Sequence, residues 1–145
     1  LPVIVKFSND IEIEAIPALI DLLIELGYDG INIGNTSTRY KYYKKYVSSN
    51  DIKNYDYFTT IFGGGLSGKL LKENSFEKSK YAAEYISRKN ISSEFYVVRT
   101  GGVSSAMDII QSQQNGVKLF QWFTAYFDSF SKYGYSLYAE LYRWL

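Results

Sequence analysis

The 145-residue sequence contains no cysteine and no histidine. Disulfides, zinc sites, Cys nucleophiles and His general bases are therefore excluded within this chain. The absence of cysteine carries no information about redox compartment. Charge of either sign is also scarce in excess: 16 basic against 15 acidic residues leave a formal charge of +1. That balance gives no electrostatic case for nucleic acid or for an acidic membrane surface. No apolar run reaches the ~18 residues of a membrane span. The longest helical candidate, Ala18 to Leu26, is interrupted by Asp21 and Glu25. The opening LPVIVKF lacks a basic region and a small-residue cleavage site, so no signal peptide is expected. A chain that starts on an apolar strand is expected to be missing a segment upstream.

Hydrophobic residues make up 46% and charged residues 21%, which fits one globular domain. Tyrosine is abundant at 15 residues, and Lys, Asn and Ile are frequent. This is read as compositional bias rather than tyrosine chemistry. Pro2 to Phe7 is a short β-branched run and predicts a buried strand. Ile13, Ile16, Leu19, Ile20, Leu23 and Leu26 then recur on one helical face, with Pro17 in the first turn and Gly27 past the end. Gly30 to Ile33 predicts a second strand. Ser37 to about Thr60 is rich in Tyr, Lys, Asn and Ser and is expected to be a long loop. A helix is predicted from Ser75, as N-cap, to Arg88, then a strand from Phe95 to Val98. Ser104 or Ser105 caps a helix running to Gln114. Val117 to Trp122 predicts a fourth strand. A last helical region from Thr124 is broken near Gly134 and resumes to Leu145. The order β-α-β-loop-α-β-α-β-α implies parallel strands with helical crossovers. An open doubly wound sheet and part of a (β/α)₈ barrel both fit.

The segment Gly63-Gly64-Gly65-Leu66-Ser67-Gly68-Lys69 permits several readings. Gly63, Gly65 and Gly68 satisfy a dinucleotide fingerprint, but Thr59 to Phe62 is a poor preceding strand. Gly63, Gly68 and Lys69 nearly spell a phosphate-binding P-loop, but position 70 is Leu rather than Ser or Thr. A plain flexible loop, or a backbone surface closely approached by a planar or anionic cofactor, remain. In a barrel, chemistry sits at the C-terminal ends of the strands. Those ends hold Lys6, Asn35 with Thr36, Gly101 with Gly102, and Phe123 with Thr124. The last two pairs would occupy the phosphate position of the fold, where backbone N–H groups meet an anion. Their joint placement favours a phosphate-bearing cofactor.

The runs PVIVKF, DGINIGNTST, GGLSGK, YVVRTGGVSSAMDII and GVKLFQWFTAYF resemble the dihydroorotate dehydrogenases in order and rough spacing, from Leu1 to about Leu141. The GGLSG element after an N-T-x-T is similar to class 2, the quinone-linked branch. The resemblance implies that residues 1–145 are the C-terminal half of a (β/α)₈ TIM barrel, four β/α units, with 37–62 a long inserted loop. A whole barrel of ~250 residues would then be about twice this chain. The resemblance further implies FMN, oxidation of dihydroorotate to orotate in pyrimidine biosynthesis, and a quinone acceptor. It implies a peripheral location on the cytoplasmic face of the inner membrane. By this likeness Lys6 sits at the flavin edge and stabilises the anionic reduced flavin. Asn35 and Thr36 hold the pyrimidine. Gly34, Gly68 and Gly102 meet the flavin and its phosphate, and Phe123 and Thr124 complete the phosphate site.

Three departures point to a divergent member. Gly34 stands where the family usually has Thr, Leu70 where it has Pro, and Arg99 where it has Gly. Arg99 is expected either to ligate phosphate or to obstruct the flavin. The family's catalytic base, a serine, belongs to the upstream half, so no catalytic residue is assigned here. Ser67, Ser104 and Ser105 lie in the wrong motifs to replace it. The alternative is a non-catalytic or divergent flavin- or phosphate-binding barrel remnant. Expected partners are dihydroorotate or orotate, quinone, and the missing N-terminal half or another copy of the chain, with no nucleic acid.

Overall fold

The computed structural model describes residues 1–89, 91 and 94–144. Its centre is a four-stranded parallel sheet in the order β1 (Ile4–Phe7), β2 (Gly30–Ile33), β3 (Tyr96–Thr100), β4 (Leu119–Gln121). The strands run in sequential order with every pair parallel. A doubly wound sheet reverses its strand order at a switch point, whereas a barrel keeps adding strands on one side. The sequential order is that of a partial barrel.

Helices α1 (Ile16–Glu25), α4 (Lys72–Arg88) and α5 (Ala106–Gln114) alternate with the strands. Pro17 lies in the first turn of α1, where a missing N–H costs nothing. Gly27 ends it at φ +78°, with Tyr28 N–H returning to Leu23 C=O at 2.9 Å. Of the predicted apolar face, Ile16, Ile20 and Leu23 are buried, but Leu26 is exposed. They meet Ile31 and Ile33 of β2, Ala82 and Ala83 of α4, Val97 and Val117 in one core. Each such Ile contributes roughly 1.5–3 kcal/mol through burial. This core lies on one sheet face only. Positions that alternate with it, Lys6, Asn32, Thr100 and Gln121, fall on the opposite face.

Several expected boundaries move. β1 begins at Ile4 rather than Pro2, and β4 spans only Leu119–Gln121. β3 continues through Arg99 and Thr100. α4 begins at Lys72, after a 3₁₀ turn over Gly68–Leu71, so Ser75 is a buried helical residue and not the N-cap. The segment 37–62, expected as a loop, carries two helices, α2 (Tyr40–Lys44) and α3 (Ile52–Ile61). Its polar composition hid them because only Tyr43 of the two is buried. Local bonds hold them instead: Tyr55 OH donates to Tyr40 C=O at 2.8 Å, and Lys44 pairs with Asp56 at 2.7 Å. At the other end, α6 (Thr124–Tyr133) and α7 (Leu137–Tyr142) flank the Gly134 break. The predicted end at Leu145 lies outside the described residues.

Candidate functional site

The C-terminal ends of β2, β3 and β4 converge on one small cavity of about 40 Å³. Five of the residues singled out in the sequence line it: Asn35, Gly68, Gly102, Phe123 and Thr124. Each comes from a different consequence of local chain geometry. Gly68 turns at φ +71°, and a Cβ there would lie 3.1 Å from the Thr124 methyl. Gly102 turns at φ +71°, and its missing side chain faces the backbone of Lys72, 2.4 Å from where a Cβ would be. Glycine at 102 thus lets the loop after β3 press onto the start of α4. Thr124 opens α6, and Phe123 before it offers no side-chain cap. The first N–H groups of a ten-residue helix are therefore presented without a side-chain acceptor. Ser67 Oγ lies 2.9 Å from Thr124 Oγ1 and ties the glycine loop to this helix start.

The remaining three predicted residues lie around, not in, that cavity. Lys6 projects from the helix-free sheet face and donates to Gln121 Oε1 at 3.2 Å. Thr36 packs beneath Gly65, where a Cβ would sit 2.1 Å from the Thr36 hydroxyl oxygen. Gly34 turns at φ +136°, and a Cβ there would be 1.9 Å from Thr100 C=O. No side chain fits at position 34. The Gly that departs from the family pattern is demanded by this close approach of the β2 and β3 ends.

Three polar residues were missed in the sequence. Asn32 Nδ2 donates to Gln121 Oε1 at 2.9 Å, and Thr100 Oγ1 donates to Asn32 Oδ1 at 2.8 Å. With Lys6, these form a polar rank with one residue from each strand, on the face away from the helices. The available signal was a polar residue inside each apolar strand near its C-terminal end.

Arg99 corrects an expectation. Its side chain points away from the cavity, into the layer between α4 and α5, with 1% of its surface exposed. Nε donates to Ser75 Oγ at 3.1 Å, Nη1 to Ser112 Oγ at 2.6 Å, and Nη2 to Lys72 C=O at 2.9 Å. The guanidinium also lies over the Phe76 ring at 5.1 Å. It neither ligates nor obstructs anything at the strand ends. Burial pushes its pKa down, against the charges of Asp108 and Glu73. An arginine stays protonated regardless.

Ser104 and Ser105 are also accounted for. Ser105 caps α5, accepting from Asp108 N–H at 3.3 Å, and both hydroxyls donate to Asp108 Oδ2 at 3.0 Å. Hydroxyls committed to a helix cap have no activating base beside them. The glycine-rich segment follows helix α3 rather than a strand, which removes the dinucleotide and P-loop readings.

A larger cavity of about 920 Å³ lies between α2, α3 and the start of α4. It is lined by Tyr42, Tyr43, Tyr46, Tyr55, Phe58 and Leu70 among others, and by none of the predicted site residues. The site is assigned to the smaller cavity because strand ends, a helix start and positive-φ glycines meet there. Among the described residues no group of acidic side chains could hold a metal, and no helix is long and apolar enough to cross a membrane.

Comparison with known proteins agrees with the partial-barrel fold. The family model described as dihydroorotate dehydrogenase matches residues 1–141. A dihydroorotate dehydrogenase (quinone) of Kocuria rhizophila is 29% identical over 126 residues, 87% of this chain and 32% of that protein. One from Nautilia profundicola is 31% identical over 124 residues, covering 86% and 29%. Among solved structures, ligand-free DHODH from Eimeria tenella is similar with a TM-score of 0.70 at 19% identity, covering 95% of this chain and 33% of that one. The chain thus spans about a third of the length of the relatives it matches.

Proposed function

The chain belongs to the dihydroorotate dehydrogenase family, and from that premise we propose that it supplies the phosphate grip and one wall of the pyrimidine pocket in an FMN-dependent dihydroorotate:quinone oxidoreductase. The observation that carries this reading is the convergence of Asn35, Gly68, Gly102, Phe123 and Thr124 on one cavity at the strand ends. The residues present fit a phosphate. Gly68, at positive φ, sets no side chain against Thr124 in that wall, Gly102 lets its loop close onto α4, and the uncapped N-terminus of α6 offers N–H donors with a favourable dipole. Lys6 supplies a cation on the helix-free face and would balance negative charge on a ring lying over the sheet. Asn35 is exposed and free to reach a carboxylate or ring amide. When bound, FMN supplies the two-electron acceptor for oxidation of dihydroorotate. By the family resemblance the base that takes the proton lies in the upstream part of the protein, and Ser67, Ser104 and Ser105, each hydrogen-bonded within the chain, are not assigned that role. The quinone acceptor is part of the same reading, drawn from the names of the relatives, and the role in pyrimidine biosynthesis and a peripheral membrane location follow from the family resemblance. Arg99 gives no support to the non-catalytic alternative, because it leaves the cavity clear.

The test is made on the protein that carries this chain at full length. It should purify with the visible absorbance of a bound flavin, which bleaches when dihydroorotate is added without oxygen. Lys6→Met should keep the flavin and slow bleaching by on the order of 100-fold, as for other lost transition-state charges. A protein that binds flavin and never bleaches would overturn the catalytic reading.

A further inference from the structure

Asn9 follows β1 and is 1% exposed, yet it contacts the loops after two other strands, β2 and β3. Its N–H donates to Thr36 C=O at 3.1 Å. Its Nδ2 donates to Asn35 C=O at 3.2 Å. Its amide group lies 2.7 Å from where a Cβ on Gly34 would stand, and 3.1 Å from a Cβ on Gly101. Asn9 therefore fills the space that those two glycines leave open. It is held in turn from below. Lys78, on α4 and 5% exposed, donates its amine to the Asn9 backbone carbonyl.

Lys78 lies three residues after Ser75, so the two share one face of α4. Ser75 donates to Gly101 C=O. One helix face thus anchors both loops that border the cavity: Ser75 holds the Gly101–Gly102 side, and Lys78 through Asn9 holds the Asn35–Thr36 side. Burying a lysine without an acidic partner is costly. Among the described residues Lys78 makes no ion pair. Simple packing would be served better by Met or Leu at that position. A donor is needed there because the Asn9 carbonyl is buried and would otherwise lack a partner.

We propose that Lys78 and Asn9 are positioning residues for the pyrimidine-binding loop: Lys78 fixes Asn9, and Asn9 sets Asn35 and Thr36 relative to Gly101. Neither touches the ligand. The inference rests on the reading of Asn35 and Thr36 as the pyrimidine side of the site. The ligand class is a planar pyrimidine carboxylate, whose amide and carboxylate groups need loop donors fixed in direction.

The experiment uses the full-length flavoprotein with Lys78→Met and Asn9→Leu, which break the chain of bonds at different links. Orotate is titrated and followed by the change it causes in flavin absorbance. Each variant should raise the orotate dissociation constant about tenfold, the factor of a single lost positioning bond. Flavin content should stay unchanged, and the amides of residues 35–38 should exchange with solvent faster. Lys78→Arg, which restores a donor, should recover most of the affinity. KM for dihydroorotate should rise more than kcat falls. If both variants merely melt earlier while orotate binds the folded flavoprotein within twofold of wild type, the positioning role is overturned. Wild-type flavoprotein that binds no orotate would instead refute the reading of the site, and this inference with it.

Discussion

At the scale of single residues, Arg99 is the clearest case of chemistry whose direction decides its meaning. A guanidinium at the end of β3 has two faces of the sheet to choose from. The strand alternation places Lys6, Asn32 and Thr100 on the cavity side and Arg99 on the helix side. There it ties β3 to α4 and α5 through four acceptors: Ser75, Lys72, Asp108 and Ser112. Hydrogen bonds of a charged donor are stronger than neutral ones, and their loss leaves buried oxygens unpaired. Arg99→Met is therefore expected to lower stability by about 3 kcal/mol, read from urea denaturation. Flavin affinity of the folded protein should be unchanged. A variant of normal stability with weakened flavin binding would return Arg99 to the cavity side. The sequence could not make this choice. Arg99 falls at the end of an apolar run, and side-chain alternation fixes its face only where the strand continues through it. Ending the strand at Val98 left Arg99 in a loop, free to be imagined beside the flavin.

Among the elements, α5 was legible in the sequence and α2 and α3 were not. The difference is physical. Helix α5 is announced by Ser105 three residues before Asp108, a capping box whose two reciprocal bonds are both present. Helices α2 and α3 bury one side chain between them, so no apolar period marks them. The same absence of buried residues explains why Lys44–Asp56 and Tyr55–Tyr40 contacts carry that segment. The cap of α5 also has a pH signature. Burial pushes Asp108 up, but Lys72 and the hydrogen bonds of Ser104 and Ser105 outweigh it, so its pKa is lowered in the fold. A carboxyl with a depressed folded pKa binds fewer protons folded than unfolded. Its contribution to stability is complete above the ordinary value of 3.8 and is lost as pH falls through the folded value. Asp108→Asn should remove the Lys72 partner at neutral pH and flatten the acid limb of the stability profile. Ser105→Ala should cost about 1 kcal/mol and leave that limb in place. Denaturant midpoints measured between neutral pH and the acid transition distinguish the two. An Asp108→Asn profile parallel to wild type would show that the carboxylate does not carry the acid dependence.

For the molecule as a whole, the sheet has one covered face and one bare one. The apolar core sits entirely between the strands and the helices. The opposite face carries Lys6 and the Asn32–Thr100–Gln121 rank, and β1 and β4 each leave an edge with no neighbouring strand. In a closed barrel that face is the filled interior and no edge exists. Unpaired N–H and C=O groups on a parallel edge are a template for another strand. The relatives extend to about three times this length, so their barrels have material to close over both. The 145-residue chain in isolation is therefore expected to associate. In light scattering coupled to size-exclusion chromatography its mass should exceed that of one chain and rise with concentration. Charge at the edges should weaken the association: Val5→Lys on β1 and Phe120→Lys on β4 both load an edge strand, but both also cut into the half-buried packing against the core. Leu119→Lys is the cleaner change, because Leu119 is 40% exposed on the bare face of β4. It should shift the chain toward monomer without lowering its melting temperature. A monodisperse, cooperatively melting wild-type monomer would mean that the bare face and open edges are tolerated in water. The sheet would then be a complete unit rather than one part of a closed barrel.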